Sequence, residues 1–168
     1  MSAIRSQLAR FLSRKAEARL ELARAKLARG DFDAAEASAH EAADLLGPGE
    51  HLPQRADLAL VRGEIALARP DDRALDAAWQ ALRDGLQRAE QLRNPWLLWR
   101  MLYAVGRHAG RTGRKDACRT YHRDAAKVLA ELFAKTPDHR RGSFYALPER
   151  AAFQRDWQMV RQEGIVEA

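Results

Sequence analysis

Apolar residues recur at every third or fourth position through most of the chain, which is the spacing of one face of an α-helix. Short β-branched runs bounded by turns, the pattern typical of strands, do not occur. Breaks at glycine and proline divide the pattern into three helical pairs, over about residues 3–46, 54–92 and 95–135. Residues 136–168 include a last helix over about 149–163. The sequence therefore predicts an all-α fold of about three antiparallel hairpins and a C-terminal capping helix.

The first pair begins with residues 3–28, which contain neither Pro nor Gly and predict one long helix or two short ones. Gly30 supplies the break before the next helix. In that helix Ala35, Ala39 and Ala42 fall on one face and form a narrow seam. We expect this seam to let a neighbouring helix approach closely.

The third pair is introduced by Pro95, a residue favoured at the first helical turn. Its two helices are predicted over residues 96–109 and 115–135. Trp96 and Trp99, on the first of these helices, are expected to fill the packing seam against the second pair.

The net charge of +6 is concentrated in this third pair and the turn that follows it. Residues 1–98 hold fifteen basic and fifteen acidic residues, whereas residues 99–141 hold eleven basic and four acidic ones. Because the excess is local, it indicates a basic surface rather than a general property of the composition.

Four residues of this region share one helical face, since each residue of an α-helix is rotated by about 100° from the last. They form what we call the arginine stripe: Arg100, Tyr103, Arg107 and Arg111. Arginine pairs bidentately with carboxylate or phosphate, and the tyrosine adds an apolar anchor. The stripe is therefore a candidate partner-binding surface. The alternative is a solvated face whose arginines pair with acids of a neighbouring helix.

The next helix carries an outer ridge, formed by Arg119, Arg123 and Lys127 at intervals of four residues. The ridge lies opposite the apolar residues of its helix and is predicted to face outward. Solvated charge is one interpretation, and contact with nucleic acid is the other.

Cys118 and His122 are four residues apart and can be read as two metal ligands, as a thiolate with its base, or as a buried or half-buried structural pair. Two ligands make half a metal site, so the structural interpretation is preferred.

The remaining histidines are predicted to be surface residues: His40, His51, His108 and His139. No catalytic motif occurs. We expect no enzymatic activity, no cofactor and no metal site.

Two segments resemble tetratricopeptide (TPR) repeats. The first is Gly30-Asp31-Phe32-Asp33-x-Ala35-x3-Ala39-x2-Ala42, preceded by Leu22-Ala23. The second is Leu102-x2-Val105-Gly106-x2-Ala109, followed by Gly113 and Ala117-x3-Tyr121, with an ambiguity of one residue between its two helices. A length of 168 residues predicts a single domain over residues 1–168, and the resemblance implies that this domain is built as a right-handed superhelical stack. It also implies a concave groove for an extended segment, into which the arginine stripe would look.

Residues 95–160 also resemble the ends of repeat arrays in large bacterial signalling proteins that carry an ATPase or kinase domain. Phe153, Trp157 and Val160 lie on one face of the last helix and would cover the last repeat. This resemblance implies that the partner is another protein or another domain of a parent protein.

The function that follows is a protein–protein interaction scaffold, in which the stripe arginines hold acidic or carboxylate groups and Leu60 and Tyr103 give apolar contact. The alternative is a nucleic-acid-binding helical-repeat protein.

Around Leu8, Phe11 and Leu12 the first helix carries apolar residues that pack inside the array or form a homodimer, the former being preferred. With one cysteine, no leader-like segment and no apolar run near the about 18 residues of a membrane span, we expect a cytoplasmic protein without membrane contact.

Overall fold

A computed structural model describes residues 2–47, 52–71 and 73–166 of the chain. These residues form eight α-helices, and they include no strand, which confirms the all-α prediction. The chain divides into two compact units, Met1–Leu92 and Arg93–Ala168. The single domain over residues 1–168 stays a prediction. In the described ranges no helix combines the length and apolar character that a bilayer span requires.

The first unit consists of two helical hairpins. Its four helices are α1 (Ser2–Ala28), α2 (Phe32–Leu46), α3 (Leu52–Ala68) and α4 (Arg73–Leu92). Helix α1 packs against α2 and α3 against α4, and α3 also contacts both α1 and α2. The first predicted pair therefore begins with one long helix, and Gly30 follows it with a φ of 81°, a conformation that glycine adopts without strain.

Small and aliphatic side chains fill the core of the first unit. Ala35, Ala39 and Ala42 are fully buried, so the predicted alanine seam is confirmed as a helix contact. Helices α3 and α4 also approach closely, since a Cβ added to Gly63 would lie 2.4 Å from Cδ2 of Leu82. Close approach of this kind needs side chains with little volume at the contact.

The second unit consists of one hairpin and two C-terminal helices. Its helices are α5 (Pro95–Arg111), α6 (Lys115–Ala134), α7 (Asp138–Phe144) and α8 (Pro148–Val166). Helix α5 packs against α6, and α8 packs against α6. The Asn94 side chain caps α5 by accepting the backbone N–H groups of Trp96 and Leu97 at 3.1 and 3.3 Å. The sequence pattern predicted a basic turn where the short helix α7 lies.

Aromatic side chains fill much of the core of the second unit. The buried rings of Trp99 and Phe153 meet edge to face, with centroids 6.0 Å apart, so α8 lies against α5. Trp96 is 46% exposed and lies 6.2 Å from the ring of Phe144. Trp96 thus contacts α7 within the second unit, and the expectation that it fills a packing seam against the second pair stays a prediction.

Candidate functional site

The arginine stripe lies on α5, and its first two residues are bound by α8. Arg100 Nε donates a hydrogen bond to Glu149 Oε1 at 2.5 Å. Tyr103 Oη donates to Asp156 Oδ2 at 2.6 Å. The structure thus brings each of these residues together with a carboxylate from the C-terminal helix. Arg100 is paired with an acid of a neighbouring helix, as the alternative interpretation of the stripe requires.

Tyr103 is buried by these contacts and is only 7% exposed. Burial raises the pKa of its hydroxyl far above the ordinary value of 10.0, and the hydrogen bond to Asp156 adds to the increase. The hydroxyl therefore stays protonated and acts as a hydrogen-bond donor. Little of the ring is left for an apolar contact with a partner.

The last two residues of the stripe remain exposed. The guanidinium of Arg107 lies 5.7 Å from the centre of the Tyr103 ring, in a cation–π contact. Arg111 is exposed at the C-terminal end of α5. The structure consequently keeps Arg107 beside Tyr103 and presents both arginines to solvent. That a partner binds them is not tested by these positions and stays a prediction.

Leu60, the other residue expected to give apolar contact, is fully buried in the first unit. That expectation is wrong. Leu60 packs in the core of its own unit instead. Burial there removes as much of its apolar surface from water as contact with a partner would.

Cys118 and His122 form the predicted structural pair beside the stripe. His122 is buried, and its ring stacks on Phe153 with centroids 6.2 Å apart. Its Nδ1 lies 2.9 Å from the carbonyl oxygen of Cys118, and since a carbonyl only accepts, Nδ1 carries the proton. The Cys118 Sγ is 3.6 Å from the same nitrogen. Burial lowers the pKa of His122 below its ordinary value of 6.5.

This arrangement offers little to a metal ion. Within the described ranges, no group of three or more His, Cys, Asp and Glu side chains is placed to hold one. Gly106 lies under the His122 ring, and a Cβ there would be 2.5 Å from Nδ1. The pair is therefore part of the packing between α5 and α6, in which the His122 ring lies against Gly106.

Acidic neighbours accompany the outer ridge. Arg119 Nη1 lies 3.7 Å from Asp116 Oδ1. Asp124 Oδ1 lies 3.6 Å from Arg123 Nε and 3.2 Å from Lys127 Nζ. Arg123 and Lys127 are exposed and Arg119 is half-buried. These short-range pairs weaken the positive field of the ridge.

The histidines expected at the surface divide into three cases. His40 and His139 are exposed, as predicted, and His51 lies outside the described residues. His108 is buried, so the prediction for it is wrong. Its Nδ1 accepts a hydrogen bond from Arg114 Nη2 at 3.0 Å, so this ring nitrogen has a donor at the end of the hairpin.

Sequence reasoning missed a groove of about 680 Å³ between α5, α6 and α7. The guanidinium carbon of Arg150 lies 5.0 Å from the ring centre of Trp96 and 4.1 Å from that of Phe144. Arg150 Nη1 also donates a hydrogen bond to the Phe144 carbonyl oxygen at 2.7 Å. The close spacing of Phe144 and Tyr145 was a signal for an aromatic cluster. It was obscured because these two residues were assigned to neither a helix nor the basic turn over residues 139–142.

Comparisons with known proteins leave the site to be interpreted from its own residues. No family model matches this chain, and no match to it is found among curated proteins or among solved structures.

Proposed function

We propose that this chain is a non-catalytic interaction module that holds a carboxylate-bearing segment on the exposed end of the arginine stripe. One observation carries the proposal: the stripe already binds two carboxylates of its own chain, Glu149 on Arg100 and Asp156 on Tyr103. Arg107 and Arg111 continue the same face and are exposed. The occupant would be a segment of another protein or of another domain of a parent protein.

Arg107 suits this task because its side chain is already restrained. It lies over the Tyr103 ring, and Tyr103 is fixed in turn by Asp156. A restrained guanidinium loses less side-chain entropy on binding and keeps its planar donors directed at one place. Arg111, close to one turn further along α5, gives a second cation at the spacing of a helix face.

The repeat-like character of the module is part of the same proposal: a TPR-like, right-handed superhelical stack with α8 as its cap. Small residues at the helix contacts support it, with Ala23 opposite the alanine seam of α2 and Gly106 opposite His122. The intervals from Ala23 to Gly63 and from Gly63 to Gly106 exceed the TPR period of about 34 residues. We therefore propose an irregular array.

A binding titration with defined probes tests the function. The first probe is a short fluorescent peptide rich in glutamate with interspersed leucines, and the second has glutamine in place of every glutamate. We expect the glutamate peptide to bind at least about tenfold more tightly, a difference of about 1.4 kcal/mol. Reversing both exposed stripe charges, with Arg107→Glu and Arg111→Glu together, should abolish that preference.

The matched control reverses two charges of the outer ridge, with Arg123→Glu and Lys127→Glu together. It changes the net charge equally, so general attraction would fall equally in both variants. Equal loss in the two variants contradicts the stripe assignment. Single-stranded and duplex DNA serve as further probes: tight binding at low salt that the ridge variant abolishes would support the nucleic-acid alternative instead.

A further inference from the structure

The described part of helix α1 carries two apolar faces, one buried in the first unit and one largely exposed. Ala16, Leu20 and Ala23 form the buried face. The second face, which we call the α1 outer face, comprises Leu8, Phe11, Leu12, Lys15, Ala18 and Leu22. Leu8 and Phe11 are 55% and 53% exposed. The preferred prediction that these residues pack inside the array is therefore wrong for both.

The α1 outer face borders a groove of about 740 Å³ between α1 and α2. Its apolar lining includes Leu12 and Leu22 from α1 and Leu45 from α2. Its charged lining is divided by sign between the two helices. Lys15 and Arg19 are on α1, whereas Glu41 and Asp44 are on α2.

We propose that this groove is a homodimer interface, in which α1 of one copy lies in the groove of the other. A surface with cations on one side and carboxylates on the other complements itself across a two-fold axis, because each positive wall then meets the partner's negative wall. A uniformly acidic or basic partner would meet like charge on one wall. Arg19 Nε and Glu41 Oε2 are bridged within one copy at 2.9 Å, whereas the nearest cationic partner of Asp44 that the structure shows is the exposed His40, at the longer distance of 3.9 Å. Lys15 and Asp44 are therefore the pair formed between copies.

The spacing along α1 supports a helical occupant of the same kind. Leu8, Phe11, Lys15, Ala18 and Leu22 alternate intervals of three and four residues, as at the seam of a helix pair. The Lys15 stem lies along Phe11, with its ammonium 4.7 Å from the ring centre. A cation at such a position favours one register, because it needs a carboxylate opposite.

The first test is the oligomeric state of the full chain, measured by sedimentation equilibrium over a wide concentration range. We expect a dimer with a micromolar dissociation constant, weakened at least about a hundredfold by Phe11→Glu, since both copies lose the contact. The control is Met159→Glu on α8, because Met159 is 55% exposed and so resembles Phe11 in exposure. A protein that stays monomeric to about 1 mM, or a dimer that tolerates Phe11→Glu, overturns the proposal.

The second test uses charge exchange and does not depend on the behaviour of one variant. Lys15→Glu alone and Asp44→Lys alone each place like charges at both contacts, so each variant should dimerise at least about tenfold more weakly. When the two are mixed, opposite charges meet at both contacts, and native mass spectrometry should show the heterodimer at near wild-type affinity. A mixture that associates no better than the separate variants overturns the proposal. Neither test involves the arginine stripe, so its outcome is independent of the proposed function.

Discussion

The two units of the molecule bring helices together in different ways. In the first unit the contacts are small and aliphatic, with Ala35, Ala39 and Ala42 fully buried and Gly63 under Leu82. In the second unit they are aromatic and polar. The rings of Phe153 and His122 stack in its core, and the Tyr103 hydroxyl is bonded to a carboxylate.

This difference has a consequence for function. Aliphatic contacts are non-directional, so the first unit tolerates small shifts of its side chains. The contacts of the second unit depend on particular atoms, namely a phenol proton, an imidazole proton and two carboxylates. The candidate site is built where packing is most specific, and it should respond more sharply to substitution and to pH.

The sharpest test of the comparison is one substitution made in both units. Gly106→Ala should reduce the free energy of unfolding by about 1–3 kcal/mol, because its Cβ would lie 2.5 Å from Nδ1 of a stacked, hydrogen-bonded ring. Gly63→Ala should also be destabilising, because its Cβ would lie 2.4 Å from Cδ2 and 2.6 Å from Cγ of the buried Leu82. The cost should be smaller than for Gly106→Ala, since the Leu82 side chain that must shift has no hydrogen bond to lose. Urea unfolding followed by circular dichroism measures both, and an equal cost would remove the distinction.

A smaller effect is expected from the phenol that joins α5 to α8. Tyr103→Phe should cost about 1–2 kcal/mol, because the half-buried Asp156 loses its donor while the ring is kept. Tyr121→Phe on α6 is the control, since Tyr121 is also half-buried. If the two variants lose the same stability in urea unfolding, the bond between Tyr103 and Asp156 contributes nothing specific.

The smallest effect is a pH dependence that the stacked histidine gives to the second unit. The pKa of His122 is lowered by burial, so the unfolded chain binds its proton first as the pH falls below about 6.5. Stability from this group is therefore present above pH 6.5 and decreases as the pH falls toward 5. We expect the difference between the parent and His122→Asn, measured by urea unfolding at each pH, to shrink over this interval. A difference that is constant with pH would show that the ring is not held neutral.

Local features of the chain were predictable because they depend on neighbours in sequence. The helical spacing, the break at Gly30 and the start at Pro95 gave hairpins whose bounds agree closely with the structure. Helix α7 was missed because a helix of seven residues has too little periodicity to distinguish it from a turn. The surface position expected for His108 was wrong because burial depends on the packing of helices against one another, which the polar residues around it in sequence do not show.

The candidate site divides in the same way. Residue spacing alone placed Arg100, Tyr103, Arg107 and Arg111 on one face, because rotation along a helix is fixed. Only the packing of α8 decided that Arg100 and Tyr103 bind Glu149 and Asp156, while Arg107 and Arg111 face solvent. Likewise the pattern of α1 showed its apolar residues, and the tertiary structure showed that Leu8 and Phe11 are left exposed. The sequence determines which residues share a helical face, and tertiary packing decides which faces are covered, since that depends on partners distant along the chain.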